Sequence, residues 1–184
     1  MRKLFFVPLI KISKMSNAGS ENDIAPMRPR SLTFLCYLTI FASLYMIMTS
    51  FEGIFNPDKL TKRTEELLVE YDNLISGANT DPKAQADFDK ALNGIAAAVT
   101  SSNMHDFSVF TLIFNVLTLA GAWWMLRLKK NGFKLYVLGC LIAVVSSGMV
   151  FGFDNWLGMA YAIYHGITGA AFILLYALKM KYME

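Results

Sequence analysis

Four stretches of this chain, residues 31–51, 107–126, 133–153 and 157–178, are apolar almost throughout and hold a single charged residue between them, Lys134. Each is long enough for an α-helix, rising about 1.5 Å per residue, to cross about 30 Å of hydrocarbon. The pattern predicts an all-α polytopic membrane protein, a four-transmembrane-helix bundle. What remains is an amino-terminal tail (1–30), a loop of residues 52–106, two short turns (127–132 and 154–156) and a tail after residue 178.

The loop changes the periodicity. Asn56-Pro57 opens it as a helix start, Asn as the cap and Pro at the first helical position. Leu60, Leu67, Tyr71 and Leu74 then recur at helical intervals up to a stop at Gly77. Thr80-Asp81-Pro82 is a second start, followed by the stripe Phe88, Leu92, Ile95 and Val99. Two amphipathic helices joined by residues 76–80 predict an α-hairpin in which the stripes bury each other, the second helix running almost directly into the next span. Asp106 reads as the N-cap of that span. The loop carries ten acidic and five basic residues. A solvated helix surface accounts for them, and a docking surface for a cationic partner is the sharper alternative.

Composition agrees: hydrophobic residues make up 55% and charged ones 17%, and mean hydropathy is +0.41, outside the usual range for a soluble domain. The position of the charges says more than their sum. Twelve of the 17 basic residues lie in the two tails and the 127–134 segment, and the other five in the loop. By the positive-inside rule the amino- and carboxy-terminal segments are cytoplasmic and residues 52–106 face outward. Trp123, Trp124 and Trp156 sit where spans meet the headgroups. Cys36 and Cys140, on different spans, read as packing residues rather than a disulfide. The apolar part of residues 1–14 is shorter than most signal-peptide cores and lacks a cleavage site, so it reads as a tail touching the membrane surface. Met15 is an alternative start. Residues 16–29, polar and Pro-containing, predict little order. Nucleic-acid binding is disfavoured, because topology and anionic lipid already explain the Lys129-Lys130 cluster.

Within the spans, Gly158, Ala162, Gly166 and Ala170 recur every four residues, and Gly148 and Gly152 form a GxxxG pair. Such spacings let helix backbones approach closely. Polar residues are costlier in hydrocarbon and more informative. Asn115 and His165 both fall roughly 13–17 Å below the outer surface, and Ser43, Ser146 and Ser147 lie at a similar depth. Tyr161 and Tyr164 add hydroxyls nearby. The residues predict one polar layer across all four helices, with His165, Asn115, Ser43, Ser146 and Tyr161 as candidate ligand-binding positions. A hydrogen-bond layer fixing helix register is the bland account. A pocket in which His165 binds a small molecule, a metal or haem is the functional one. His105, the second histidine, lies at the membrane surface, too far above His165 for a shared haem. His105 and Asp106 project about 100° apart on a helix, which argues against a joint site. No span holds Asp or Glu, so an ion or proton transporter is disfavoured.

Two stretches resemble small four-span membrane proteins of Bacteroidetes such as flavobacteria. One is Arg28-Pro29-Arg30-Ser31-Leu32-Thr33-Phe34-Leu35-Cys36-Tyr37-Leu38-Thr39-Ile40-Phe41. The other is Gly121-Ala122-Trp123-Trp124-Met125-Leu126-Arg127-Leu128-Lys129-Lys130-Asn131-Gly132-Phe133-Lys134-Leu135-Tyr136. The resemblance implies a bacterial inner membrane and contributes no active-site residue.

Three functions fit to different degrees. A non-enzymatic accessory or scaffold subunit, working through its outward hairpin and packed spans on a membrane-protein partner or a second copy, explains the missing catalytic motifs. A binder of a small molecule or redox cofactor, quinone or haem, centred on His165, is the alternative. An intramembrane enzyme using Ser43, Ser146 or Ser147 beside His165 stands third, because no Gly-x-Ser-x-Gly turn supports it.

Overall fold

The computed structural model describes residues 29–76 and 81–184. The expectations for the tail up to residue 28, for the Gly77 stop and for the connection through Thr80 lie outside them. All regular structure among the described residues is helical: α1 (Arg30–Phe55), α2 (Pro57–Ser76), α3 (Pro82–Ala98), α4 (Ser101–Leu126), α5 (Asn131–Phe151), α6 (Trp156–Ala177) and a short 3-10 turn (Met180–Tyr182). α1, α4, α5 and α6 are long and apolar enough to cross a membrane.

Local signals set the helix boundaries. α1 runs past its apolar run to Phe55, where the Asn56 N–H donates to Glu52 O at 2.8 Å. Pro57, which lacks an N–H that the first turn would leave unpaired, then starts α2. Asp81 caps α3 by accepting from Lys83 N, with Pro82 next. Asp106 is not the cap of α4. Thr100 is, its hydroxyl accepting from Asn103 N at 3.2 Å. The helix thus begins before its apolar run, because a capped polar turn is stable outside hydrocarbon. Asn155 caps α6 through Leu157 N at 2.8 Å, and its amide donates to Gly94 O at 2.6 Å, tying α3 to the α5–α6 turn.

The spans pack in chain order. Ser43 bonds Thr118 and Gly53 faces Ser108, so α1 and α4 are antiparallel. Gly121 meets Gly132, and Gly139 meets Phe114 and Thr118, which makes α4 and α5 antiparallel as well. Gly158 meets Gly152, and Gly169 meets Cys140, on α6 and α5. Leu32, Cys36, Thr39, Ser43, Ser50 and Gly53 on α1, and Met104, Ser108, Thr111, Asn115, Thr118, Ala122 and Met125 on α4, are buried at steps of three, four or seven residues, and Phe114 and Gly121 add a second buried row on α4. That 3.5-residue period is the seam of left-handed helix packing, here built from small and polar residues as lipid-embedded helices favour.

α1 and α6 are the exception, with few close backbone approaches between them. At the end of the bundle carrying the α4–α5 turn they are bridged by Thr39 Oγ1 and Tyr176 OH at 2.8 Å. Below that bond Leu32, Cys36, Met125, Tyr136, Tyr176 and Met183 form a closed apolar cluster. Residues 183–184 are held there by backbone bonds, Glu184 N to Leu128 O and Lys130 N to Glu184 O, both 2.7 Å.

The predicted stripe-on-stripe burial in α2 and α3 is not what the structure adopts. Leu60, Ile95 and Val99 do join a cluster with Ala98, Met104 and Phe151. Leu67, Tyr71 and Leu74 stay 54%, 58% and 65% exposed. α2 is rolled so that Thr61 is buried and Leu68 and Asp72 face α3 across a groove. Its near end is pinned by the Asp58–Ser101 hydrogen bond and by the Lys59–Glu52 ion pair at 2.6 Å. The small-residue stripe of α6 is likewise only partly used: Gly158 is buried, Ala170 is exposed, and the close approach to α5 is made by Gly169.

Candidate functional site

The gap between α1 and α6 is a cleft of about 200 Å³ floored by α4 and α5. α1 contributes Thr39, Ala42 and Ser43 and α4 contributes Phe114, Asn115 and Thr118. Cys140 comes from α5, and Tyr164, His165 and Thr168 from α6. These residues fall near the middle of the four long apolar helices.

His165 reaches the cleft because it begins the face His165, Gly169, Phe172, Tyr176, which recurs every three to four residues on α6. Its imidazole sits among rings. Phe114 and Tyr164 present edges at 5.3 Å each, and Tyr161 lies nearly parallel at 6.3 Å. No hydrogen bond to either ring nitrogen is formed among the described residues. Asn115, 4% exposed, donates its amide to Thr111 O at 2.8 Å, and its Oδ1 has no protein donor among them. No buried side-chain nitrogen or oxygen among the described residues is left both sealed and unpartnered. The free polar atoms of His165 and Asn115 therefore keep access to the cleft.

Ser43 is used differently. Its hydroxyl bonds Thr118 Oγ1 at 3.0 Å, and Thr118 Oγ1 donates onward to Asn115 O at 3.1 Å. Thr168 is committed to its own helix, to Tyr164 O at 2.6 Å. The Ser43–Thr118 bond joins α1 to α4, and the Asn115 side-chain amide is held by Thr111 O.

The predicted layer across all four helices is therefore incomplete. Ser43, Asn115 and His165 line one cleft, and Tyr164 stands at its edge. Ser146 does not belong: its hydroxyl turns back to Ala143 O at 3.2 Å, as Ser147 does at 2.8 Å. α5 offers Cys140 to the cleft instead, because Gly132 and Gly139 must face α4 and so fix the rotation of the helix. Tyr161 stands one turn from His165, in a ring cluster with Phe107 at 5.0 Å and Phe151 at 5.9 Å that closes the bundle toward α2 and α3. Among the described residues no serine hydroxyl bonds to His165. His105 and Asp106 do meet, Nδ1 to Oδ1 at 3.2 Å, on the exposed surface of α4 and outside the cleft. No group of three metal-ligating side chains forms among the described residues. The cleft's chemistry is that of hydrogen bonding beside aromatic faces.

Phe114, Thr118 and the Thr39–Tyr176 bond were not singled out from the sequence. The signal was present: Thr118 lies three residues past Asn115, Thr39 four before Ser43, and Tyr176 eleven past His165, each on the same helical face as its partner.

Comparison of the chain with protein-family models, curated proteins and solved structures finds no match. The reading of function rests on the geometry of the cleft.

Proposed function

We propose that the protein is a non-enzymatic membrane protein that binds a lipid-soluble small molecule in the α1–α6 cleft, with His165 at its centre. The observation that carries this reading is a pair of unmatched polar groups, the His165 ring nitrogens and Asn115 Oδ1, opening into one cavity midway along four long apolar helices. Polar groups at that depth are costly unless partnered, and a bound molecule supplies the partner. The test is native mass spectrometry of the protein extracted gently from its own membrane. A small-molecule mass retained by the wild type and lost in His165→Ala is the expected result. Its absence from the wild type overturns the proposal.

A second reading, an accessory or scaffold subunit, draws support from Leu67, Tyr71 and Leu74, an apolar stripe on α2 that no described residue covers. A stoichiometric protein partner in the same spectrum, lost when Leu67 and Leu74 become Ser, is its expected signature. In either case the proposed setting is a bacterial inner membrane, the α4–α5 turn and Lys179 cytoplasmic and α2–α3 outside, as the basic residues of the turn favour. An Ala84→Cys variant should then react with an impermeant maleimide from outside. Labelling from the cytoplasmic side alone refutes the orientation.

A further inference from the structure

We infer that the molecule held in the cleft is a neutral phenolic lipid, a single hydroxyl-bearing ring with an apolar tail, which slips in sideways from the bilayer between α1 and α6. This rests on the binding reading above and narrows it to a chemical class and a route.

Size comes first. Pockets for drug-sized molecules run to about 300–1,000 Å³, whereas this cleft holds about 200 Å³. One ring fits, and the rest of a larger molecule must lie outside. Charge comes next. None of the residues lining the cleft is charged, so a carboxylate or phosphate head would find no counter-ion at a depth where an unpaired charge is strongly disfavoured. The head is therefore neutral. Its surroundings are flat and aromatic, Phe114 and Tyr164 set edge-on to His165 with Tyr136 and Phe172 beyond, which favours a planar ring.

The polar atoms complete the assignment. Asn115 Oδ1 can only accept, and a neutral imidazole offers one N–H donor. A hydroxyl both donates and accepts, so one phenol oxygen satisfies Asn115 and His165 together. An ether can accept from His165 but leaves Asn115 unpaired.

The route follows from what is closed. Toward the α4–α5 turn, the Thr39–Tyr176 bond seals the cleft and Leu32, Cys36, Met125 and Met183 fill the space beneath it. Toward α2 and α3, the Phe107, Phe151 and Tyr161 rings close the other end. Leu38 and Ala42 on α1 and Tyr164 on α6 form exposed lips between these ends. The tail leaves between them.

The experiment uses the full chain in lipid nanodiscs, titrated with para-decylphenol and with its methyl ether, para-decylanisole. The phenol should bind roughly tenfold tighter than the ether, the difference one hydrogen bond makes. Asn115→Leu should remove that preference, because only the phenol donates to Asn115 Oδ1, and His165→Phe should weaken binding of both. Ala42→Trp, which fills the slot between the lips, should abolish binding of both while unfolding at the wild-type temperature. Leu38→Trp on the same lip carries the test should Ala42→Trp fail to accumulate. Equal affinity for phenol and ether, or undiminished binding with the lip filled, overturns the inference. A chain that ignores the phenol yet retains another small molecule lost in His165→Ala overturns the ligand class and leaves the binding reading standing. A chain that retains no small molecule overturns both.

Discussion

The α4–α5 seam and the α1–α6 seam lie side by side in one bundle and are built on opposite terms. Between α4 and α5, Gly121 and Gly132 bring backbone to backbone: a Cβ added at Gly132 would lie 2.5 Å from Gly121 O, and one at Gly121 would lie 2.8 Å from Gly132 O. Between α1 and α6 the Thr39–Tyr176 hydrogen bond and the packing of Leu32 and Cys36 with Tyr176 join one end, and beyond them lies a cleft. Lipid gives helices no hydrophobic reason to associate, so tight association has to come from such close approach. Where the close approach is absent, the polar atoms of His165 and Asn115 are left available. The contrast separates the part of the bundle that holds it together from the part free to receive something.

The contrast breaks most easily at the glycines. Gly121→Leu forces a side chain into the Gly132 carbonyl and the Tyr136 backbone, neither of which can yield as a flexible side chain would. The expected loss is about 3 kcal/mol or more, read as failure to accumulate or a large drop in unfolding temperature in mild detergent. A variant that unfolds where the wild type does would mean that this seam is not the clamp.

Tyr176→Phe tests the other seam and should cost about 1 kcal/mol, the scale of one hydrogen bond between spans. A double-mutant cycle with Thr39→Val should show the two changes overlapping rather than adding. Additive losses would place the two hydroxyls apart.

The smallest effect is expected at Gly166, where an added Cβ meets nothing nearer than Val144 Cγ2 at 4.0 Å. Gly166→Ala should be neutral or stabilise by up to about 1 kcal/mol, the helix preference of alanine over glycine. A clear destabilisation would show that α6 sits closer to its neighbours than the structure has it.

The spans and the helix starts at Asn56-Pro57 and Asp81-Pro82 were legible because length, hydropathy and proline chemistry act locally. So was the shared depth of Asn115 and His165, since rise along a helix is fixed. Rotation about each axis was not. α5 is apolar on every side, so hydropathy could not tell the face of Ser146 from that of Cys140, and Gly132 and Gly139 decide it by their fit against α4. Asp106 sits at the edge of the apolar run with a good capping side chain, while Thr100 caps a helix that starts earlier in polar surroundings. The periodicity of Leu67, Tyr71 and Leu74 marks an amphipathic face without saying what covers it, and in the structure all three are exposed.

The order in which the chain is made adds a constraint of time to the α1–α6 cleft. α1 emerges first, yet Ser43 waits 75 residues for Thr118 and Thr39 waits 137 residues for Tyr176. At about 5–20 residues per second, the first helix spends roughly 7–27 s before its last partner exists. During that interval α4, α5 and α6 meet one after another through short turns. The cleft is thus the last part of the bundle to be completed, and Thr39 is without Tyr176 until then.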